Sequence, residues 1–360
     1  MAQKTSRRGG KSVTIHEVAR HAGVSPMTVS RVVNGESNVR EATRAKVAAS
    51  IKALHYSPNL AARSLAGANA TRIGLLYSNP SAAYLSEFLV GSLEQASLSG
   101  CQLSIEKCDG PDTERAAIER LANAGADGII LPPPLCDSVE AQQAVLAAEL
   151  PGVVVATGHP AAEFSSISID DFEAAHMMTK RLIALGHTRI GFIIGHPNQT
   201  ASEQRYKGFL AGMEEAGLEV APKQAAQGYF TYRSGLEAAE ALLRAPKRPT
   251  AIFASNDDMA AATIAVAHRM GLDVPRDLTI AGFDDTPLAT TVWPALTTVR
   301  QPIAQMAREA VKLLLEQIRR KRAGEAPEIL HKLAEFTIVP RESTSRLTAQ
   351  PAKGKRTLRA

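Results

Sequence analysis

Cysteine is scarce in this chain: Cys101, Cys108 and Cys136 are the only three in 360 residues, an odd number without C-x-x-C spacing. That count builds neither a disulfide framework nor a cysteine-ligated zinc site. It reads as free thiols in a reducing cytosol, so a cytoplasmic location is expected. Long apolar runs are missing too. No stretch reaches the roughly 18 apolar residues that a membrane span requires, and the basic start MAQKTSRRGGKS leads into no apolar segment, so no secretory signal is expected. The usual catalytic signatures are also absent, with no G-x-x-x-x-G-K, no G-x-S-x-G and no G-x-G-x-x-G. His16-Glu17-Val18-Ala19-Arg20-His21 comes close to H-E-x-x-H. Its extra residue turns the two histidines about 140° apart on a helix, too far to share a zinc ion. His159, His187 and His196 are scattered and read as structural. No metal, cofactor or catalytic residue is expected, and the chain is read as a binding protein rather than an enzyme.

Charge is unevenly placed. The formal net charge is +5, yet residues 1–67 carry a net +8 and residues 346–360 a net +5, which leaves 68–345 at −8. A basic amino-terminal module suits a phosphate backbone, while an acidic body would be kept away from that polymer. The length allows two or three domains.

The basic module contains the most informative stretch, from Thr14 to Asn34. Thr14 and Glu17 have capping-box spacing. Ile15, Val18, Ala19 and Ala22 then share a helical face, and Gly23 permits a sharp turn because it lacks Cβ. Ser25 can cap a second helix, whose first turn tolerates Pro26. There Val29, Val32 and Val33 form the apolar side, Met27 and Arg31 point away from it, and Thr28 and Ser30 flank them. Two short helices joined at a glycine predict a helix-turn-helix. A third helix, about 40–55, places Val47, Ile51 and Leu54 to close its core and leaves Arg40, Arg44 and Lys52 for phosphates. Ser57, Pro58 and Gly67 bracket a further helix of about two turns, which is marginal alone in water.

From Thr71 short β-branched runs alternate with amphipathic helices. Strands are predicted at 73–77, 103–106, 128–131, 153–156, 167–169, 190–194, 251–254 and 279–283. Helices are predicted at 83–98, 112–124, 138–148, 173–185, 203–216, 232–244 and 258–270. This is the pattern of parallel sheets covered on both faces, and two such series imply two lobes. Ligands of open parallel sheets bind beyond the carboxyl ends of the strands, here in the cleft between lobes.

Val24-Ser25, Thr28-Val29-Ser30-Arg31-Val32 and Asn34 resemble the amino-terminal domain of the LacI/GalR, or lactose-repressor, family almost residue for residue. The resemblance continues through Ala184-Leu185-Gly186-His187, Arg205-x-x-Gly208-Phe209, Asn256-Asp257, Gly282-Phe283-Asp284-Asp285-Thr286 and Leu296-Thr297-Thr298-Val299, and covers about 13–343. It implies an all-α helix-turn-helix domain plus an α/β, two-lobed, periplasmic-binding-protein-like effector domain. The expected boundaries are a disordered basic arm at 1–12, the helix-turn-helix domain at 13–57 and a hinge helix at 58–67. The body then spans 68–345 (lobe 1 about 69–169 and 301–331, lobe 2 about 170–299 and 334–343) before a disordered basic tail at 346–360. The matching crossings between lobes would fall near 169–171, 298–301 and 331–334. The tail has no leucine heptads, so the tetramer-forming helix of the lactose repressor is not expected and a homodimer is.

A guanidinium can donate two hydrogen bonds to guanine, which makes Arg31 the leading base reader, although a phosphate contact is its alternative. Met27 can touch a thymine methyl, and Pro26 reads by shape; the resemblance makes both operator-selecting positions. Thr14, Ser25, Thr28, Ser30 and Asn34 read as backbone contacts or caps. The segment 58–67 resembles the family's hinge helix, which implies that Asn59, Ala62 and above all Leu65 enter the minor groove, where a wedge side chain unstacks a base step. A dimer would read an inverted-repeat operator in double-stranded DNA. In the cleft, Arg205, Asn256 and Asp284 supply the donors and acceptors that a polyol needs, and the resemblance places Phe230 over an apolar face of the ligand. Tyr77, Ser78 and Thr157 follow first-lobe strands and should face the same space. An interlobe ion pair is the competing reading for Arg205 and Asp284, and a plain core position for Phe230. The expectation is a repressor controlled by a carbohydrate effector, with a purine ligand left open. The competing classes are a transport binding protein and a sugar- or nucleoside-acting enzyme. The first would need an export signal and has no use for residues 14–67, and the second would need a nucleophile or metal set that the sequence does not offer.

Overall fold

The structure, a computed structural model, describes residues 13–33, 39–54, 56, 71–108 and 110–347. The expected arm, Asn34, the hinge with Asn59, Ala62 and Leu65, and the tail beyond residue 347 lie outside the described residues. The chain divides into two compact units, Met1–Ala70 and Thr71–Ala360.

The first unit holds α1 (Ile15–Ala22), α2 (Pro26–Val33) and α3 (Glu41–Ala53). Its start is the reciprocal capping box that the sequence predicts. The Thr14 backbone N–H donates to a Glu17 carboxylate oxygen at 2.7 Å, and Glu17 N–H donates to Thr14 Oγ1 at 3.4 Å. Gly23 ends α1 at φ +66°, a conformation that a Cβ would strain. Val18, Ala19, Val29 and Val47 form the buried centre, with Ile51, Leu54 and Val33 packed around it. His21 is committed to this unit, its Nδ1 lying 3.0 Å from the buried Ser50 hydroxyl on α3.

The second unit contains two six-stranded sheets. In chain order its elements are β1 (Arg72–Tyr77), α4 (Ala82–Ser99), β2 (Gln102–Lys107), α5 (Pro111–Asn123), β3 (Gly128–Leu131), α6 (Val139–Ala147), β4 (Gly152–Val155) and β5 (Ser165–Ser168). The second lobe follows with α7 (Asp171–Ala184), β6 (Ile190–Ile194), α8 (Thr200–Glu215), β7 (Ala225–Gln227), α9 (Tyr232–Leu243), β8 (Ala251–Ala254), α10 (Asp257–Arg269), β9 (Thr279–Asp284), α11 (Leu288–Thr291) and β10 (Thr297–Arg300). The chain then runs through α12 (Ile303–Arg322), β11 (His331–Leu333) and β12 (Thr337–Val339).

Strand order is β11-β5-β4-β3-β1-β2 in one sheet and β12-β10-β9-β8-β6-β7 in the other. Every pairing is parallel except that of β10 with β12. Because parallel sheets are covered on both faces, β3, β8 and β9 are buried along their full length. No helix among the described residues is long and apolar enough to cross a membrane.

The structure moves some expected boundaries. The third crossing falls at 334–336 rather than 331–334. His331–Leu333 adds to the first sheet beside Ser166–Ser168, held by a 2.9 Å contact between His331 Nδ1 and the Ser166 hydroxyl. The amphipathic α12, which packs on α4, stands where no helix was expected. So do the short strands β7, β11 and β12.

Lobe 2 depends on a close helix pair. A Cβ on Gly208 of α8 would collide with the Phe172 carbonyl oxygen of α7, and one on Gly212 would sit 2.9 Å from Thr179 Cβ. Gly208→Ala should therefore force α7 and α8 apart. Overpacking of this kind costs about 1–3 kcal/mol, and a lowered thermal midpoint, measured by calorimetry without effector, checks it.

Candidate functional site: a base-reading helix and an interlobe cavity

On α2 the capping chemistry sets the presentation. The Ser25 hydroxyl accepts from Thr28 N–H at 3.1 Å and lies 2.9 Å from Thr28 Oγ1, so both hydroxyls fix the helix start. Thr14 does the same for α1. Val29 is fully buried, while Pro26 and Arg31 are exposed and Met27 is 64% exposed. Ser30 is half-buried beside them. The apolar side of α2 thus faces its own core and the Pro26–Met27–Arg31 side faces outward, the geometry that a major-groove reader needs.

In the second unit a narrow cavity of about 30 Å³ lies between the lobes, lined among others by Asn79, Ser81, Tyr84, Gln199, Arg205, Phe230, Asn256, Asp284 and Gln301. Its centre is a buried charge cluster. Arg205 Nε donates to Asp171 Oδ1 at 2.7 Å, and Nη1 donates to the Ser255 carbonyl at 2.6 Å and lies 3.7 Å from Asp284 Oδ1. The guanidinium stacks 3.7 Å from the Phe283 ring centroid and 5.7 Å from that of Phe230. One cation therefore serves two buried carboxylates. Burial pushes Asp171 upward, and burial pushes Asp284 up to about 7 against the opposing pull of Arg205.

Five non-glycine residues among those described have positive φ, and three of them, Ala156, Phe230 and Asp284, line this cavity. Strain of that kind collects where a site over-determines the backbone. A Cβ on Gly195 would collide with the Phe230 ring, so this glycine makes the ring's seat. Two groups of the cavity lining, the Tyr84 hydroxyl and Gln301 Oε1, are among the buried polar atoms without a hydrogen-bond partner in the described residues. The Gln301 amide nitrogen donates to Asp284 Oδ1 at 2.6 Å.

Of the seven cleft residues expected from sequence, Arg205, Phe230, Asn256 and Asp284 come together here. Asn256 arrives as a structural cap, its Oδ1 accepting from Met259 N–H at 2.9 Å and its Nδ2 donating to the Phe230 carbonyl at 3.0 Å. Tyr77 and Ser78 are not among the lining residues. β1 ends at Tyr77, whose side chain packs on the lobe core, and the turn brings Asn79 and Ser81 to the space instead. Thr157 is tied to Asp137 and Thr200 at the rim. Asn79, Ser81, Tyr84, Gln199 and Gln301 were not expected. They sit on turns, helix starts and a crossing segment, where hydrophobic periodicity says nothing.

Residues 14–59 match the family described as bacterial regulatory proteins, lacI family, and residues 179–344 match a periplasmic binding protein-like domain. The HTH-type transcriptional repressor PurR of Escherichia coli O139:H28 is 36% identical over 316 residues, which cover 86% of this chain and 91% of PurR. Among solved structures, the transcriptional regulator CelR in complex with cellobiose superposes with a TM-score of 0.70 at 31% identity, over 92% of this chain and 99% of CelR. The lac repressor dimer bound to operator and the anti-inducer ONPF gives 0.69 at 27%, over 93% and 100%. An outward-facing helix-turn-helix on one unit and a two-lobed α/β cleft on the other define a ligand-controlled, DNA-binding transcriptional regulator. The chain belongs to the LacI family.

Proposed function

We propose that this protein represses transcription as a homodimer on an inverted-repeat operator, and that a sugar or sugar derivative in the interlobe cavity controls its grip. It acts by binding rather than turnover, inside the cytoplasm, where its operator is. The observation that carries the effector reading is the pair of unpartnered buried groups beside the Arg205–Asp284 cluster. A buried polar atom without a partner costs about 1–3 kcal/mol. A polyhydroxylated molecule would supply Gln301 Oε1 with a donor and the Tyr84 hydroxyl with a partner, while laying an apolar face on Phe230. The cellobiose-bound regulator at 31% identity supports that class. For the dimer, α4 exposes Val90, Leu93 and Leu98 next to β2, the last strand of its sheet, with its exposed Ile105, an apolar strip suited to self-association.

Selection of bound sequences from random DNA, repeated with a panel of mono- and disaccharides and nucleobases, tests the whole reading. A palindrome whose recovery changes with one sugar supports it. Recovery that changes only with a nucleobase replaces the sugar class, and enrichment of nothing overturns the reading. Within the same assay Arg31→Ala should lose about 1–3 kcal/mol of base discrimination per half-site. Binding titrations on operators mutated at each G·C pair locate that loss. A uniform loss across all operators would make Arg31 a phosphate contact instead.

A further inference from the structure

Helix α8 carries Arg205, yet its own sequence does not cap it. Gln199 stands at the N-cap position and makes no side-chain cap hydrogen bond. The missing acceptor comes from the other lobe. Asp137, in the turn after β3, accepts from the Thr200 backbone N–H through Oδ2 at 2.8 Å, and through Oδ1 from the hydroxyls of Thr200 at 2.8 Å and Thr157 at 2.7 Å. Thr200 Oγ1 in turn accepts from Gly158 N–H at 2.6 Å, and Thr157 Oγ1 from His159 N–H at 3.1 Å. Gly158 permits the approach, since a Cβ there would lie 2.9 Å from the Thr200 carbonyl oxygen. Every donor in this small network has an acceptor, and the network spans the lips of the cavity.

The geometry points to Asp137 as a positioning residue for effector binding. It touches no ligand itself. It caps, across the cleft, the helix whose second turn presents Arg205. The cap exists only with the lobes together, so separating them would release α8's first turn and close coupling would hold Arg205 against Phe283 and Phe230. The same loop connects to the cavity wall through Pro133, whose carbonyl accepts from Asn79 Nδ2 at 3.2 Å. This inference rests on the cleft being the effector site, but its first test does not need an effector.

The experiment is amide hydrogen exchange by mass spectrometry on the full-length chain, as wild type, Asp137→Asn and Asp137→Ala. A charge-assisted cap is worth about a factor of ten in a local opening equilibrium. Exchange across 199–205 and 157–159 should rise about tenfold in Asp137→Ala and less in Asp137→Asn, which keeps one acceptor for the Thr200 amide. Peptides from β6 and β8 should not change, which separates local release from a failure to fold. Calorimetric titration with the same saccharide and nucleobase panel forms the second arm. Affinity for the responding compound should fall about tenfold in Asp137→Ala, with partial rescue in Asp137→Asn. Unchanged exchange at 199–205 overturns the proposal, and so does faster exchange with unchanged affinity. If wild type binds no panel member, the effector reading falls, and the exchange arm alone still decides whether Asp137 holds α8.

Discussion

Arg205→Ala should abolish the effector response and lower stability by about 3–5 kcal/mol near neutral pH, the usual cost of removing one partner from a buried charge pair. The size follows from what stays behind. Asp171 and Asp284 are both buried, and the guanidinium between them is the cation that each contacts. Without it the two carboxyls can avoid the penalty only by binding protons, so the loss should shrink toward pH 5 and grow toward pH 8. Arg205→Lys should not rescue the protein. An ammonium cannot bond Asp171 and the Ser255 carbonyl while lying flat on Phe283, whereas a guanidinium does all three. Thermal unfolding as a function of pH, with operator titration in the presence of the active panel compound, measures both effects. Wild-type stability combined with a retained response would show that Arg205 is neither the cluster's counter-ion nor a part of the proposed effector contact.

The amino-terminal unit was legible because its determinants are local. Thr14 with Glu17, Gly23, Ser25 and the valines at 29, 32 and 33 each act within one or two turns, and spacing along a sequence reports contacts of that range. The buried strands of the body could be read for the same reason. The failures share a different cause, because each depends on a partner far away in the chain. Helix α8 was expected from Glu203 yet begins at Thr200; Gln199 at its N-cap makes no side-chain bond, and the acceptor for the Thr200 N–H is Asp137, 63 residues upstream. Strand β11 consists of exposed His331-Lys332-Leu333, with no apolar alternation, and becomes a strand only because β5 offers it a parallel edge. Thr157 was placed in the cleft by its position after a strand, and that position is right, but its hydroxyl faces Asp137. Asn256 had the signature of a helix cap, preceding two acidic residues in a first turn, and it caps α10. Phe230 came from family likeness, and Arg205 and Asp284 from the donors and acceptors they offer, rather than from hydrophobic pattern. No period in the sequence indicates that a phenylalanine at φ +60° covers a guanidinium.

Asp284→Asn should separate stability from response, and pH should reveal it. Burial holds the Asp284 carboxyl up to about 7, well above its ordinary value of 3.8. In this direction the folded protein binds the proton more tightly than the unfolded chain. The favourable contribution is therefore fully present at pH values below about 4 and is lost as pH rises toward 7, by about 1.4 kcal/mol per unit and about 4 kcal/mol in all. Asp284→Asn removes that slope. Between pH 5 and 8 the wild type should lose stability relative to the variant, with most of the divergence complete by pH 7. Effector binding should run the opposite way. A hydroxyl of a bound sugar donates to a carboxylate better than to a neutral acid, so binding to the wild type should release a proton and tighten as pH rises through 7. In the variant affinity should be weaker and nearly flat with pH. Calorimetric titration in two buffers of different ionisation enthalpy detects the proton directly. The carboxylate is then a group whose ionisation weakens the empty fold and is repaid by the ligand, the trade expected of a site whose strained neighbours, Ala156 and Phe230, already sit in backbone conformations that a purely structural cleft has no reason to keep. A pH-independent wild-type affinity would remove Asp284 from the effector contact and leave it as an internal counter-charge to Arg205.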